Sequence, residues 1–267
     1  MSAQKIIRFY YSTYKLVPST YRLLISFHSL LRAFFSGVWL GLLGRETLLG
    51  IDNTYYSTTD KYSDRAYNKS GLRPWETAMV ERFFKNCKRL LVVGAGGGRE
   101  ILALKQLSYE VHGVECNPEL VRAANTLLEE EGLLPTVQHA PPDTCPSGPA
   151  TYDGLIVGWG AYMLIQGRAK RIALLRSMRA QVHSGAPLLL SFFFRSTAAK
   201  RFIITMTVGN ALRRLQRREK LELGDALEPE FVHYTTQEEV TAEMQEGGFA
   251  IEYYSENQYG HAVGIAV

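Results

Sequence analysis

One eleven-residue stretch constrains the fold of this chain more than any other: Leu90-Leu91-Val92-Val93-Gly94-Ala95-Gly96-Gly97-Gly98-Arg99-Glu100. An apolar run that enters a glycine-rich turn and then a helix-forming segment reads as strand, tight loop, helix. Glycines at such a turn permit left-handed backbone and let a ligand approach without a Cβ in the way, while the following helix offers unpaired amides. Taken alone, the loop is equally compatible with a plain flexible connection. A second feature weighs against that. Residues 109–114 have the pattern of the next strand and lead to Glu115, 19 residues beyond Gly96. A carboxylate so placed accepts hydrogen bonds from both hydroxyls of a ribose bound where the strand order of a parallel sheet reverses.

The flanking pattern supports such a sheet. Candidate strands at 89–93, 109–114, 135–139, 152–157 and 186–194 alternate with helices near 98–107, 117–131 and 168–183. That alternation predicts parallel strands covered on both faces. A basic amphipathic stretch at about 196–223 interrupts it; a short helix at 236–245 and two strands, 250–257 and 261–267, follow as a hairpin at the sheet edge. The expected fold is α/β, a Rossmann-like three-layer sandwich with a mostly parallel seven-stranded sheet, N-terminal helices and a helical insertion after strand five. Upstream, helices are expected at 5–16 and 19–44, separated at Pro18, then a polar, tyrosine-rich connecting or lid segment at 51–74, and a helix at 75–86. The chain thus divides into 1–74, N-terminal helices and lid, and 75–267, the main domain with its insertion.

Over roughly residues 75–267 these features resemble the class I S-adenosylmethionine-dependent methyltransferases. The family's first motif is the strand–GxGxG–helix unit, and its second is an acid ending strand two. Glu115-Cys116-Asn117-Pro118 resembles the turn after that acid, Tyr152 to Gly160 (YDGLIVGWG) the strand-four motif, and Val232 to Val240 with Gly247-Gly248-Phe249 the late helix and its turn. The resemblance implies S-adenosyl-L-methionine as cofactor, with S-adenosyl-L-homocysteine as product. It also implies Gly94, Ala95, Gly96, Gly98, Glu115, Cys116, Asp143 and Gly158 as cofactor-binding residues, Asp143 facing adenine. Where the family often has an acid before its first glycine, this chain has Val93. A nicotinamide-dependent oxidoreductase shares the glycine-and-acid logic, but its GxGxxG would need glycine where Arg99 stands.

Methyl transfer from a sulfonium asks the protein to align nucleophile, methyl carbon and sulfur, exclude water and accept a proton where the acceptor carries one. Candidate bases are His233, His261 and Tyr234, with Tyr162 as an orienting residue. Tyr55, Tyr56, Tyr62 and Tyr67 are expected as an aromatic lid that encloses a cation, Tyr67 beside the cofactor. The expected acceptor is a small or lipid-like molecule methylated on nitrogen or oxygen. A noncatalytic adenosine-binding or membrane-associated interaction protein is the alternative.

Composition narrows the setting. Cys87, Cys116 and Cys145 are odd in number and widely spaced, which supports neither a disulfide framework nor a metal site. Residues 1–50 hold six basic residues against one acid and 195–220 eight against one, around an acidic remainder. Such segregation favours an anionic surface, yet no nucleic-acid module accompanies it. The residue 33–44 run (AFFSGVWLGLLG) lies between arginines and falls short of the roughly 20 residues that span a bilayer. No secretory signal is evident, so a cytoplasmic protein with peripheral membrane contact is expected.

Overall fold

The computed structural model describes residues 3–146, 152–196 and 199–267, with side-chain surroundings for Gln4, Lys5 and the described residues from 24 onward. Its elements are α1 (Ala3–Leu42), α2 (Arg45–Thr58), α3 (Arg65–Asn68), α4 (Pro74–Phe83), β1 (Arg89–Val93), α5 (Arg99–Gln106), β2 (Glu110–Glu115), α6 (Pro118–Glu130), β3 (Val137–His139), β4 (Gly154–Val157), α7 (Arg168–Arg179), β5 (Pro187–Phe194), α8 (Lys200–Leu215), β6 (Asp225–Leu227), β7 (Phe231–Thr235), α9 (Gln237–Glu246), β8 (Phe249–Ser255) and β9 (Gly260–Ala266). By tertiary contact they fall into two compact units, Met1–Leu43 with Ala198–Ala226, and Gly44–Thr197 with Leu227–Val267. The dividing line thus lies near residue 44 rather than 74, and the insertion groups with the N-terminal helix.

In the larger unit β1 lies between β2 and β4, with β3 outside β2 and β5 outside β4, all parallel. The β8–β9 hairpin is antiparallel, with β9 as the inner member against β5. These seven strands match the expected sheet. Among the described residues there are nine, however, because β6 and β7 form as well. β7 pairs in parallel with Phe193 and Phe194, where β5 has run past β9.

Alternation along each strand sends its side chains to opposite faces. Leu90 and Val92 join Ile156 and Leu189 in a core that α4, α5 and α6 cover, while Leu91 and Val93 join Leu155, Val157, Leu188 and Leu190 under α7 and α9. Each such side chain contributes about 1.5–3 kcal/mol on burial, which makes the sheet a rigid platform. Local signals fix the helix starts. Asn117 accepts from the amides of Glu119 (2.9 Å) and Leu120 (3.2 Å), with Pro118 in the first turn, and Thr236 and Glu239 form a reciprocal capping box.

In the smaller unit α1 is one continuous helix through Pro18, not two. A proline costs a helix one donor and roughly 3 kcal/mol, and a run of 40 residues carries the helix across that single defect. α1 packs on α8 through small residues: a Cβ on Gly37 would stand 2.7 Å from the Thr205 carbonyl oxygen, and one on Gly209 3.1 Å from that of Gly37. The last carbonyls of α1 accept from side chains at the end of α8. Arg213 reaches Leu40 (2.9 Å), Gln216 reaches Gly41 (3.3 Å), and Arg218 reaches Leu42 (2.7 Å). Leu24, Ile25, Phe27, Phe34, Phe35 and Trp39 are exposed. By length and composition the 19 residues Leu24–Leu42 could cross a membrane, a longer stretch than the 33–44 run suggested because the helix carries Arg32 within it.

Residues 51–74, expected as a connecting or lid segment, are largely helical. α2 covers Arg45–Thr58, and a 3-10 turn at Asp60–Tyr62 and α3 follow. The helical period of α2 is masked in the sequence because Asp52, Asn53 and Tyr56 line a cavity where an ordinary surface helix would present apolar residues.

Candidate active site

The glycine loop is shaped by close approaches on both sides. Gly94, Gly96 and Gly98 all have positive φ (74°, 53° and 95°). A Cβ on Gly94 would lie 2.4 Å from that of Ala161, and one on Gly97 1.8 Å from the Tyr62 carbonyl oxygen. The amides of Gly94 and Ala95 both donate to the Val114 carbonyl, at 2.9 and 3.0 Å, tying the loop to the end of β2. There Glu115 accepts from the amides of Gly96 (2.8 Å), Cys116 (2.8 Å) and Asn117 (2.9 Å). Its carboxylate is therefore held against the loop. At Gly96 an added Cβ would meet no protein atom within 4 Å.

Beneath the loop lies an ionic cluster that the sequence did not reveal. Arg99 makes a two-pronged pair with Glu76 (2.7 Å to each oxygen) and a further bond to Glu100 at 2.6 Å, all three side chains buried. Glu100 also accepts from the Trp159 amide at 3.0 Å, and Glu76 from the Arg73 amide at 2.6 Å. This cluster joins the helix before β1, the helix after it and the turn after β4.

Above the ends of these strands opens a cavity of about 720 Å3, within the range of small-molecule sites. Gly94, Ala95, Gly96, Glu115, Cys116, Asp143 and Tyr67 line it. Asp143 adopts φ 59° and accepts from Arg45 on α2 at 2.6 Å. Asn117 donates to Asn53 (3.1 Å) and Ser57 (3.0 Å), so α2 is pinned over the Glu115 end of the cavity.

Two of the expected cofactor residues support the site without lining it. Gly98 starts α5 in a left-handed conformation against Ala124, and Gly158 lets the turn after β4 approach the Gly94 carbonyl, to which an added Cβ would stand 2.0 Å away. The catalytic candidates also lie elsewhere. Tyr162 is buried beneath the cavity and donates to Glu243 at 2.6 Å; burial and that carboxylate push its hydroxyl well above the usual tyrosine range. Its chemistry is structural, because Glu243 is in turn clasped by Arg171. His233 is buried and does not line the cavity. His261 stacks on Trp75 with Nδ1 2.6 Å from the Tyr259 carbonyl, and burial lowers its pKa. Tyr234 stacks on Phe193 and donates to Glu228.

What does face the cavity on the β5–β7 side is a wall of rings and acids. Tyr56, Tyr62, Tyr67, Trp159, Phe193 and Tyr259 line the cavity together with Asp52 and Glu230. Burial pushes the Asp52 carboxyl up to about 7, assisted by the nearby charges of Glu230 and Asp143 and opposed by the Phe231 amide it accepts from at 2.9 Å. Burial likewise raises Glu230, whose Oε2 is inaccessible and has no hydrogen-bond partner among the described residues. Burial raises Tyr62 to about 12, so these phenols stay neutral. Asp52, Glu230, Arg45 and Tyr259 carry no sequence motif.

A glycine loop, a strand-end acid and a cavity over a sheet whose first five strands run in the spatial order 3-2-1-4-5 define the class I methyltransferase fold. Comparison with solved structures gives the same fold. A SAM-dependent methyltransferase from Methanosarcina mazei is 17% identical with a TM-score of 0.57 over 74% of this chain and 99% of that one. The 1,6-didemethyltoxoflavin-N1-methyltransferase of Burkholderia thailandensis, solved with S-adenosylhomocysteine, is 13% identical at 0.58 over 85% and 92%. A sugar N-methyltransferase from Streptoalloteichus is 16% identical at 0.54 over 80% and 92%. At these identities the likeness is one of fold. No family model and no curated protein matches the sequence.

Proposed function

We propose that this chain is an S-adenosyl-L-methionine-dependent methyltransferase that acts on a small or lipid-like acceptor at nitrogen or oxygen. The observation that carries this reading is the Glu115 carboxylate, held by the Gly96 amide at the floor of a cavity over the point where strand order reverses. The residues present fit the cofactor. Glu115 retains acceptor capacity for ribose hydroxyls beyond its three amide bonds, and the space above Gly96 is clear of protein atoms. When bound, the cofactor supplies an activated methyl group on a sulfonium. The chain's share is to fix the ribose at Glu115, read adenine near Asp143, and exclude water under α2 and the Tyr56–Tyr67 rings. Solved methyltransferases of sugars and of a small heterocycle share the fold, which agrees with a small acceptor. Calorimetry with S-adenosyl-L-homocysteine tests the reading: saturable binding that Glu115→Ala weakens supports it, and no binding to folded protein overturns it. Binding with no transfer to any amine or alcohol would favour a noncatalytic binding role.

A second property rests on a separate observation, the exposed apolar face of α1. We infer that the α1–α8 pair lies in the interface of an anionic membrane, at its cytoplasmic side. Nine large apolar side chains between Leu24 and Leu42 face outward, more than a soluble surface ordinarily gathers. The arginines Arg214, Arg217 and Arg218 beside the end of α1 complement anionic head groups. Close helix contact through glycine also suits a lipid-facing pair. Co-sedimentation with vesicles of phosphatidylglycerol and phosphatidylcholine is expected, weakened by salt and absent with phosphatidylcholine alone.

A further inference from the structure

The cavity has two chemically distinct halves. Its nucleoside half, built at the ends of β1–β3, presents Glu115, Cys116 and backbone amides. Its other half takes Phe193, Val232, Tyr259 and Glu230 from the strand ends and the loops beside them, with Asp52 and Tyr56 from α2 and Tyr62 from the turn after it. An apolar wall alone would suit a neutral aromatic or aliphatic acceptor. Two carboxyl groups inside such a wall cost desolvation energy that the few amide hydrogen bonds they accept offset only in part. The Asp52 carboxyl has one amide donor, and Glu230 Oε2 has none. No lysine or arginine pairs with Glu230 among the described residues; Arg45, which lines a small recess with Asp52 and Asp143, is paired with Asp143. A cation would satisfy both the open oxygen and the negative charge.

The rings point the same way. Aromatic faces attract ammonium groups within about 6 Å of their centroids. The panel formed by Trp159, Tyr67 and Tyr62 already holds one, the Lys61 ammonium, at 5.1, 5.2 and 5.4 Å. All three rings also line the cavity, whereas Lys61 does not and is exposed.

We propose that the acceptor half of this cavity binds a cationic amine, with Glu230 as its anionic partner and Tyr56, Tyr62 and Tyr259 around its nitrogen. This rests on the methyltransferase reading and narrows its acceptor to nitrogen, which must pass a proton to Glu230 before its lone pair can attack the methyl carbon. Asp52 lies near enough for its charge to interact with that of Glu230 and, when ionised, strengthens the negative potential there. Glu230 is then a residue that touches substrate, while Asp52 acts through it.

The test uses n-octylamine and 1-octanol as matched probes, each titrated calorimetrically into the full-length protein with and without saturating S-adenosyl-L-homocysteine. Octylammonium is expected to bind at least tenfold tighter than octanol, and Glu230→Gln, which keeps shape and removes charge, brings the two within threefold. Asp52→Asn gives a smaller loss in the same direction. Binding of S-adenosyl-L-homocysteine and of S-adenosyl-L-methionine is expected to stay within threefold of the unaltered protein in Glu230→Gln. Equal binding of amine and alcohol, or amine binding indifferent to Glu230→Gln, overturns the proposal. So does a selective loss of S-adenosyl-L-methionine relative to S-adenosyl-L-homocysteine, because the acids would then be reading the donor's sulfonium. Amine binding without any binding of either cofactor form would sink the methyltransferase reading and leave the amine site standing.

Discussion

The two units of this protein use apolar side chains in opposite ways. In the α/β unit, β1, β4 and β5 are apolar on both faces, and helices cover both, so Leu90 and Leu91 lie in different cores only one residue apart. In the α1–α8 unit, a helix with comparable apolar content turns Phe27, Phe34, Phe35 and Trp39 outward. Its inward side is used up by Leu40, Ala33 and the glycines that let α8 approach. Apolar content therefore does not distinguish a core element from a docking element. What distinguishes them is the number of neighbours the topology supplies, two layers for a central strand and one partner for α1.

The contrast is sharpest under the glycine loop, where the inward-turned unit also buries charge. Glu76→Ala would leave Arg99 with only Glu100 and the Gly71 carbonyl. Breaking a buried ion pair costs about 3–5 kcal/mol, and the denaturation midpoint of the protein should fall accordingly. A change below about 1 kcal/mol would mean that the cluster is solvated and that the comparison is misdrawn. Glu115→Ala comes next. Loss of charged hydrogen bonds worth about 1.5–3 kcal/mol should weaken S-adenosyl-L-homocysteine binding by about 10–100-fold, with little change in vesicle binding.

For the outward-turned unit, replacing Phe34 and Phe35 together by serine should reduce partition onto anionic vesicles by about tenfold or more, given roughly 1.5–3 kcal/mol for each ring that leaves water. Stability should hold, because both rings are exposed. A drop in stability with vesicle binding intact would show that this face packs on protein instead. The smallest effect is expected at Arg45. Its pair with Asp143 is partly exposed, and pairs of that kind are worth about 0–1 kcal/mol, so Arg45→Ala should change cofactor affinity by no more than about fivefold.

A pH experiment refines the cavity's side of the comparison. Burial holds the Asp52 carboxyl at about 7 in the folded protein, against 3.8 for a free aspartate side chain. Between those values the folded protein holds a proton that the unfolded chain has released. Its contribution to stability is thus full below about pH 4 and is lost as pH rises toward 7. Asp52→Asn should flatten that part of the stability profile; an unchanged slope would mean that the carboxyl is hydrated.

How much was legible beforehand follows from where the information sits. The strand–glycine–helix unit, Glu115 nineteen residues after Gly96 and the alternation up to β5 are local patterns, and they point to the sheet, the loop and one end of the cavity. β7 escaped notice because its five residues gain their partners only where β5 extends past β9. Tyr162 and His233 were attractive by residue type and place in the chain, yet type does not report which way a side chain faces.

The sequence by itself determined the elements whose stability and ligand geometry come from neighbours along the chain: helix caps at Asn117 and Thr236, the left-handed turns at Gly94 and Gly96, and the two-faced apolar strands. Tertiary structure alone decided that α2, written in polar residues, closes over the cavity, that Arg99 answers Glu76 from 23 residues away, and that Asp52 and Glu230 meet across 178 positions of chain. The physical reason is that burial and charge pairing are properties of a point in space. No local pattern encodes which distant residues will share that point once the sheet has set the positions of the loops.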